Sequence, residues 1–235
     1  MVEALEQLKG MIETVARALG DEMLNDVAFV GGCTTGLLVT DQVTKEGIRF
    51  TDDVDLIINV VGFTGWSAFQ ERLQERGFRA NLVDDVICRM RLGELKVDFM
   101  PDDEAILGFS NRWYRRALET AQAYQLTDDI VIRLLTPPYF VATKLEAYKG
   151  RGNNDPLASH DMEYILNIVD GRPELVDEIR AAHPDVRLYI AEQFDELLAH
   201  DMFEYAIQGV LIGNADRVNI VFARLEAIQA LKGIN

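Results

Sequence analysis

Near the start of the chain, Leu5, Leu8, Ile12, Val15, Ala16 and Leu19 recur at helical spacing and Gly20 follows them, which predicts an amphipathic helix over 2–20. The texture then changes to short apolar runs. Val27–Val30 reads as a buried strand entering a tight turn at Gly31-Gly32, with a helix over Thr34–Val43 leaving that turn. Val54–Val60 predicts a strand, and Trp66–Arg76 a helix closed by Gly77. Phe78–Val83, Val86–Leu92 and Glu94–Met100 predict successive strands, with Gly93 as the turn of a hairpin. A helix over Asn111–Tyr124 and a strand over Ile130–Leu134 complete this mixed part.

After Pro137-Pro138, a pair suited to the first turn of a helix, only helical periodicity remains. It predicts helices over Tyr139–Tyr148, Ala158–Val169, Glu174–Ala182, Val186–Leu198, Met202–Leu211 and Ala215–Leu231, punctuated by Gly150, Gly152, Gly171 and Gly213. The expected fold class is α+β. A mixed β-sheet flanked by helices fills 1–135, and an all-helical domain fills 136–235.

Composition narrows the class without naming it. A chain of 235 residues, 49% hydrophobic and 26% charged, can bury a proper core. Runs such as Val54–Val61, interrupted by Asp55, are too short and too charged to span a bilayer. Met1–Glu6 lacks a basic segment followed by an apolar one, so no secretory signal is expected. Cys33 and Cys88 form neither a disulfide framework nor a metal-ligand cluster and read as small core fillers. A cytoplasmic protein without membrane partners is the expectation. The formal net charge of −16 argues against coating nucleic acid through the overall field, while leaving a local basic groove open.

The chemistry concentrates in the first half. Asp53-Val54-Asp55 opens the strand that follows the glycine turn. Side chains alternate along a strand, so both carboxylates project from one face while Val54 and Leu56 point to the core. Two adjacent carboxylates repel unless a cation lies between them, and magnesium, which takes oxygen ligands from one or two carboxylates plus substrate phosphates, resolves that repulsion. Asp98, in Leu95-Lys96-Val97-Asp98-Phe99-Met100, joins the pair if its strand lies beside the first. Three acidic groups around one or two metal ions suit in-line nucleotidyl transfer, with Asp98 as general base or metal ligand. Gly31-Gly32, without Cβ atoms, lets backbone N–H groups approach phosphate oxygens.

Gly31-Gly32, Arg49-Phe50-Thr51-Asp52-Asp53-Val54-Asp55-Leu56 and Val97-Asp98 together resemble the signature of the DNA polymerase β-type nucleotidyltransferase superfamily. The Arg-x-Thr-x-Asp-x-Asp form is similar to its AbiEii/AbiGii toxin branch. Thr143–Arg151 and Ser159–Glu163 resemble that branch's downstream Lys and Asp motifs. The resemblance covers roughly residues 27–172. It implies a nucleotidyltransferase fold and a magnesium-dependent enzyme using a nucleoside triphosphate. It makes Asp53, Asp55 and Asp98 catalytic metal ligands and Asp161 a further catalytic residue. It assigns Lys144 to nucleotide binding, beside the turn at Gly31, Gly32 and Thr34, while Arg49 either orients a phosphate bidentately or neutralises Asp52. The branch further implies the 3′ end of a tRNA as acceptor and a cognate antitoxin as partner.

Two other function classes stay open at this point. One is transfer to a small hydroxylated molecule, in the manner of antibiotic nucleotidyltransferases, for which the acidic balance suits a cationic acceptor. The other is a binding or regulatory module that kept the fold and lost turnover. Arg112-Trp113-Tyr114-Arg115-Arg116 is a basic–aromatic cluster that can dock a polynucleotide, although an amphipathic helix with Trp113 and Leu118 inward explains it as well. His183 and His200 carry no constellation.

Overall fold

The computed structural model describes residues 2–81, 84, 87–108, 110–211 and 214–233. The chain divides into two compact units, Met1–Thr34 with Arg49–Thr136, and Thr35–Ile48 with Pro137–Asn235. Thr35–Ile48 therefore packs with the helical unit, although it lies inside the span 1–135 that chain order assigns to the α/β half.

The first unit carries a six-stranded mixed sheet flanked by helices. Its elements are α1 (Val2–Leu24), β1 (Val27–Val30), β2 (Asp53–Ile58), α4 (Gly62–Glu75), β3 (Arg89–Leu92), β4 (Leu95–Pro101), α5 (Glu104–Leu107), α6 (Tyr114–Glu119), β5 (Gln122–Gln125) and β6 (Val131–Leu134). The strand order is β3-β4-β2-β1-β6-β5. β2 runs antiparallel to β1 and parallel to β4, and β6 is parallel to β1. Because side chains alternate, Val54, Leu56, Val97 and Phe99 share the buried face of β2 and β4. Phe99 meets Phe69 of α4 and Phe78 edge-on, with ring centroids 5.8 and 5.4 Å apart. That packing leaves the opposite face of the two central strands to the aspartates.

The second unit is helical: α2 (Thr35–Leu38), α3 (Gln42–Glu46), α7 (Pro137–Arg151), α8 (His160–Gly171), α9 (Leu175–Ala181), α10 (Pro184–Leu198), α11 (Phe203–Val210) and α12 (Ala215–Gln229). Its core is built from Phe140, Val141, Leu145, Ile165, Ile190, Phe194, Val221 and Leu225, all nearly inaccessible to solvent. α3 is tied to α8 and α12 by charge. Asp41 caps α3, accepting from the Thr44 N–H at 2.8 Å. Arg217 donates to both oxygens of Asp170, at 2.8 and 2.7 Å, and to Asp41 at 2.9 Å.

Several elements differ from the periodicity reading. The helix expected over Asn111–Tyr124 is the short α6, and Gln122–Gln125 is the edge strand β5. Its ladder with β6 closes through the Leu126 N–H, which donates to the Ile130 carbonyl at 2.9 Å. The expected Thr34–Val43 helix breaks into α2 and α3 because Asp41 caps a new helix start. α1 does not stop at Gly20; it kinks there (φ 66°, ψ 167°) and continues to Leu24. Of the expected strand Phe78–Val83, Arg79 forms a single bridge with Arg91, while Leu82 and Val83 lie outside the described residues. Val86 and Gly213 lie outside them too. Among the described residues no helix is long and apolar enough to cross a membrane.

Candidate functional site

Register assembles the carboxylate site. Asp55 pairs with Val30 of β1 on one side and with Asp98 of β4 on the other, and Asp98 in turn pairs with Arg89 of β3. Paired residues project from the same side of a sheet, so Asp55, Asp98 and Arg89 stand in one row across three strands. Asp53, two residues before Asp55, lies on the same face opposite Lys96. One carboxylate oxygen from each of Asp53, Asp55 and Asp98 lies within 4.8 Å of the others. Asp98 is buried, whereas Asp53 and Asp55 are half-buried.

The donor set is all oxygen and formally anionic, the chemistry that hard divalent cations take. Oxygens about 2.1 Å from one magnesium ion sit roughly 3 Å apart when adjacent and roughly 4 Å apart when opposite, so small side-chain rotations close this cluster on an ion. The cluster can therefore hold a metal ion. A protein cation already stands against it. Arg89 grips Asp98 with two parallel hydrogen bonds, Nε to Oδ1 and Nη2 to Oδ2, each 2.7 Å, and reaches Asp53 Oδ2 at 3.4 Å. Hydrogen bonding to Asp98 holds the Arg89 guanidinium further above its already high ordinary value. Thr51 adds a hydroxyl hydrogen bond to Asp53.

Beside the cluster, Gly31 takes φ +78°, a left-handed conformation. A Cβ at this position would run into the Asp55 carboxylate, so a glycine here lets the chain turn directly against Asp55. The turn is closed by Thr34, whose N–H and hydroxyl both donate to the Gly31 carbonyl, at 3.3 and 2.9 Å. Gly32, Cys33 and Thr34 form one buried 3-10 turn. Arg49 is exposed at the approach to β2.

Lys144 and Asp161 are brought together inside the helical unit. Lys144 Nζ is 3.1 Å from Asp161 Oδ1 and 4.6 Å from the Tyr164 ring centroid. Arg151 closes on the same carboxylate with bonds of 2.7 and 2.8 Å. Burial opposes ionisation of Asp161, but the hydrogen bonds and charges of Arg151 and Lys144 outweigh it and hold the carboxyl below the usual carboxylate range.

The buried Cys88, one residue before Arg89, has its thiol pushed up to about 12, first by burial and then by the charges of Asp98 and Asp55. Trp113 is buried and carries Arg112 over its ring at 4.9 Å, and Arg115 pairs with Asp102. The basic–aromatic stretch thus has Trp113 turned inward, with Arg112, Arg115 and Arg116 at the surface.

Arg89 is the site residue that composition and motif alone pass over. Its signal lay in the hairpin: a two-residue loop at Gly93-Glu94 pairs Leu92 with Leu95 and so places Arg89 opposite Asp98. Compared with known proteins, the chain matches no protein-family model and no curated protein.

Proposed function

We propose that this protein is a metal-dependent nucleotidyltransferase that moves a nucleoside monophosphate from a nucleoside triphosphate to an acceptor hydroxyl. The observation that carries the reading is the in-register pairing of Asp55 with Asp98, with Asp53 beside them on the same sheet face. Asp53, Asp55 and Asp98 set three negative charges against the single guanidinium of Arg89, and the two charges left over repel one another unless a further cation balances them.

In this reading the acceptor oxygen bonds to the α-phosphorus as the α–β phosphoanhydride bond breaks and pyrophosphate leaves. Asp53 and Asp55 would hold a divalent ion, which would supply activation of the hydroxyl and neutralisation of charge on the leaving group. Asp98 accepts the hydroxyl proton or completes the ligand set. The Gly31-Gly32 turn presents backbone N–H groups to the phosphates.

By resemblance to the toxin branch, the acceptor is the 3′ end of a tRNA and a cognate antitoxin is a partner. A second reading, a small cationic hydroxylated acceptor, is favoured by the net charge of −16. Incubation with magnesium and each α-labelled nucleoside triphosphate, with and without tRNA, tests both. A tRNA-length labelled band supports the first acceptor and a small conjugate the second. Folded protein that releases no pyrophosphate and transfers no label from any of the four nucleotides refutes the reading.

A further inference from the structure

The carboxylate cluster is not waiting bare for a cation. Arg89 occupies two of the four lone-pair positions of Asp98 in a fork-to-carboxylate geometry and extends to Asp53. Its side chain is 17% exposed and that of Asp98 11%, so the pair is shielded from the screening that makes surface pairs weak. The pairing is fixed by the fold, because the hairpin register puts Arg89 directly opposite Asp98 on the site face. Three carboxylates and one guanidinium leave two negative charges, which a single divalent ion balances.

We propose that Arg89 is the resident counter-cation of this site, and that a divalent ion has to compete with it for Asp98. The inference rests on the metal-binding reading of the cluster and adds a positioning residue to it. Arg89 keeps Asp98 and Asp53 together when no ion is present, and it sets the metal affinity lower than three unopposed carboxylates would give. A guanidinium is always charged and donates in a rigid plane, so it holds the aspartates in place without titrating. It also limits the cluster to one tightly bound ion before any phosphate arrives.

Calorimetric titration with Mn²⁺, in the absence of nucleotide, tests this on the wild-type chain, Arg89→Gln, Arg89→Lys and Asp55→Asn, with each melting temperature read in EDTA and in Mn²⁺. The expected result is one ion per wild-type chain and an affinity about ten-fold higher in Arg89→Gln. The same variant should melt lower in EDTA and gain more from Mn²⁺ than the wild type. Arg89→Lys keeps the charge but loses the fork, so it falls between the two and still reports if Arg89→Gln does not fold. Equal affinities in wild type and both Arg89 variants, or weaker binding in Arg89→Gln, overturn the inference while leaving the metal site standing. No Mn²⁺ binding by any chain, or binding that survives Asp55→Asn unchanged, overturns the inference and the metal reading together.

Discussion

Replacing Gly31 by alanine should damage stability and site together, by an amount the geometry sets. At φ +78° an L-residue pays the left-handed penalty, about 1–2 kcal/mol. The new Cβ would overlap the Asp55 carboxylate oxygen and lie 2.6 Å from its Cγ and 2.7 Å from its Cβ. Asp55 must leave its rotamer to clear the carboxylate, at a further cost of about 0.5–1.5 kcal/mol, and so leaves the cluster, while the contact with its Cβ yields only to a backbone shift that adds to this. These two contributions, together about 1.5–3.5 kcal/mol, correspond to a fall in melting temperature of roughly 3–14 °C for a chain of this size. Gly93→Ala is the control. Its φ is +61° and no atom lies within 4 Å of the added Cβ, so it carries the backbone penalty without the collision. Urea unfolding and Mn²⁺ titration of both variants separate the contributions. Gly31→Ala should be the less stable and should lose Mn²⁺ affinity at least ten-fold, while Gly93→Ala keeps it. Equal stabilities, or an unchanged Mn²⁺ affinity in Gly31→Ala, would refute the close-approach argument.

The buried acidic and thiol groups give further expectations. Asp161 is 3% exposed between Lys144 and Arg151, so Asp161→Asn strands a buried lysine and should cost about 3 kcal/mol at neutral pH. Because the folded Asp161 carboxyl titrates below its ordinary value of 3.8, its contribution is fully present above that pH and is lost as pH falls through the folded value. Unfolding curves of wild type and Asp161→Asn should accordingly converge in that acid range, and a gap independent of pH would contradict the assignment. Cys33 and Cys88 are both buried, and the Cys88 thiol is pushed up to about 12. Neither should react with a thiol reagent at pH 8 until guanidinium unfolds the protein; rapid labelling of either in the folded chain would count against the packing described around the site.

The parts of this molecule legible in the sequence are those where a local pattern and the tertiary structure ask for the same thing. β1, β2 and β4 are apolar runs whose alternation already separates Val54, Leu56, Val97 and Phe99 from Asp53, Asp55 and Asp98. The parallel pairing of β2 with β4 converts that alternation into a site. What the pattern missed was decided by contacts distant in sequence or by a single cap. Gln122–Gln125 continues a helical stretch in local terms and becomes a strand through its ladder with β6. Asp41 interrupts a helix because its side chain caps the next one. Arg89 carries no motif of its own, and only the hairpin register places it across from Asp98. Lys144 and Asp161 illustrate the opposite case: the motif picks them out, and the structure supplies a mutual ion pair with Arg151.

The central claim, that Asp53, Asp55 and Asp98 together hold a catalytic divalent ion, is tested most directly by anomalous scattering from crystals grown with Mn²⁺ and a non-hydrolysable nucleoside triphosphate. A manganese peak is expected about 2.1 Å from oxygens of these aspartates, with the triphosphate on the same ion beside the Gly31-Gly32 turn. An ordered nucleotide bound elsewhere, or manganese absent from the cluster at saturating concentration, would contradict it.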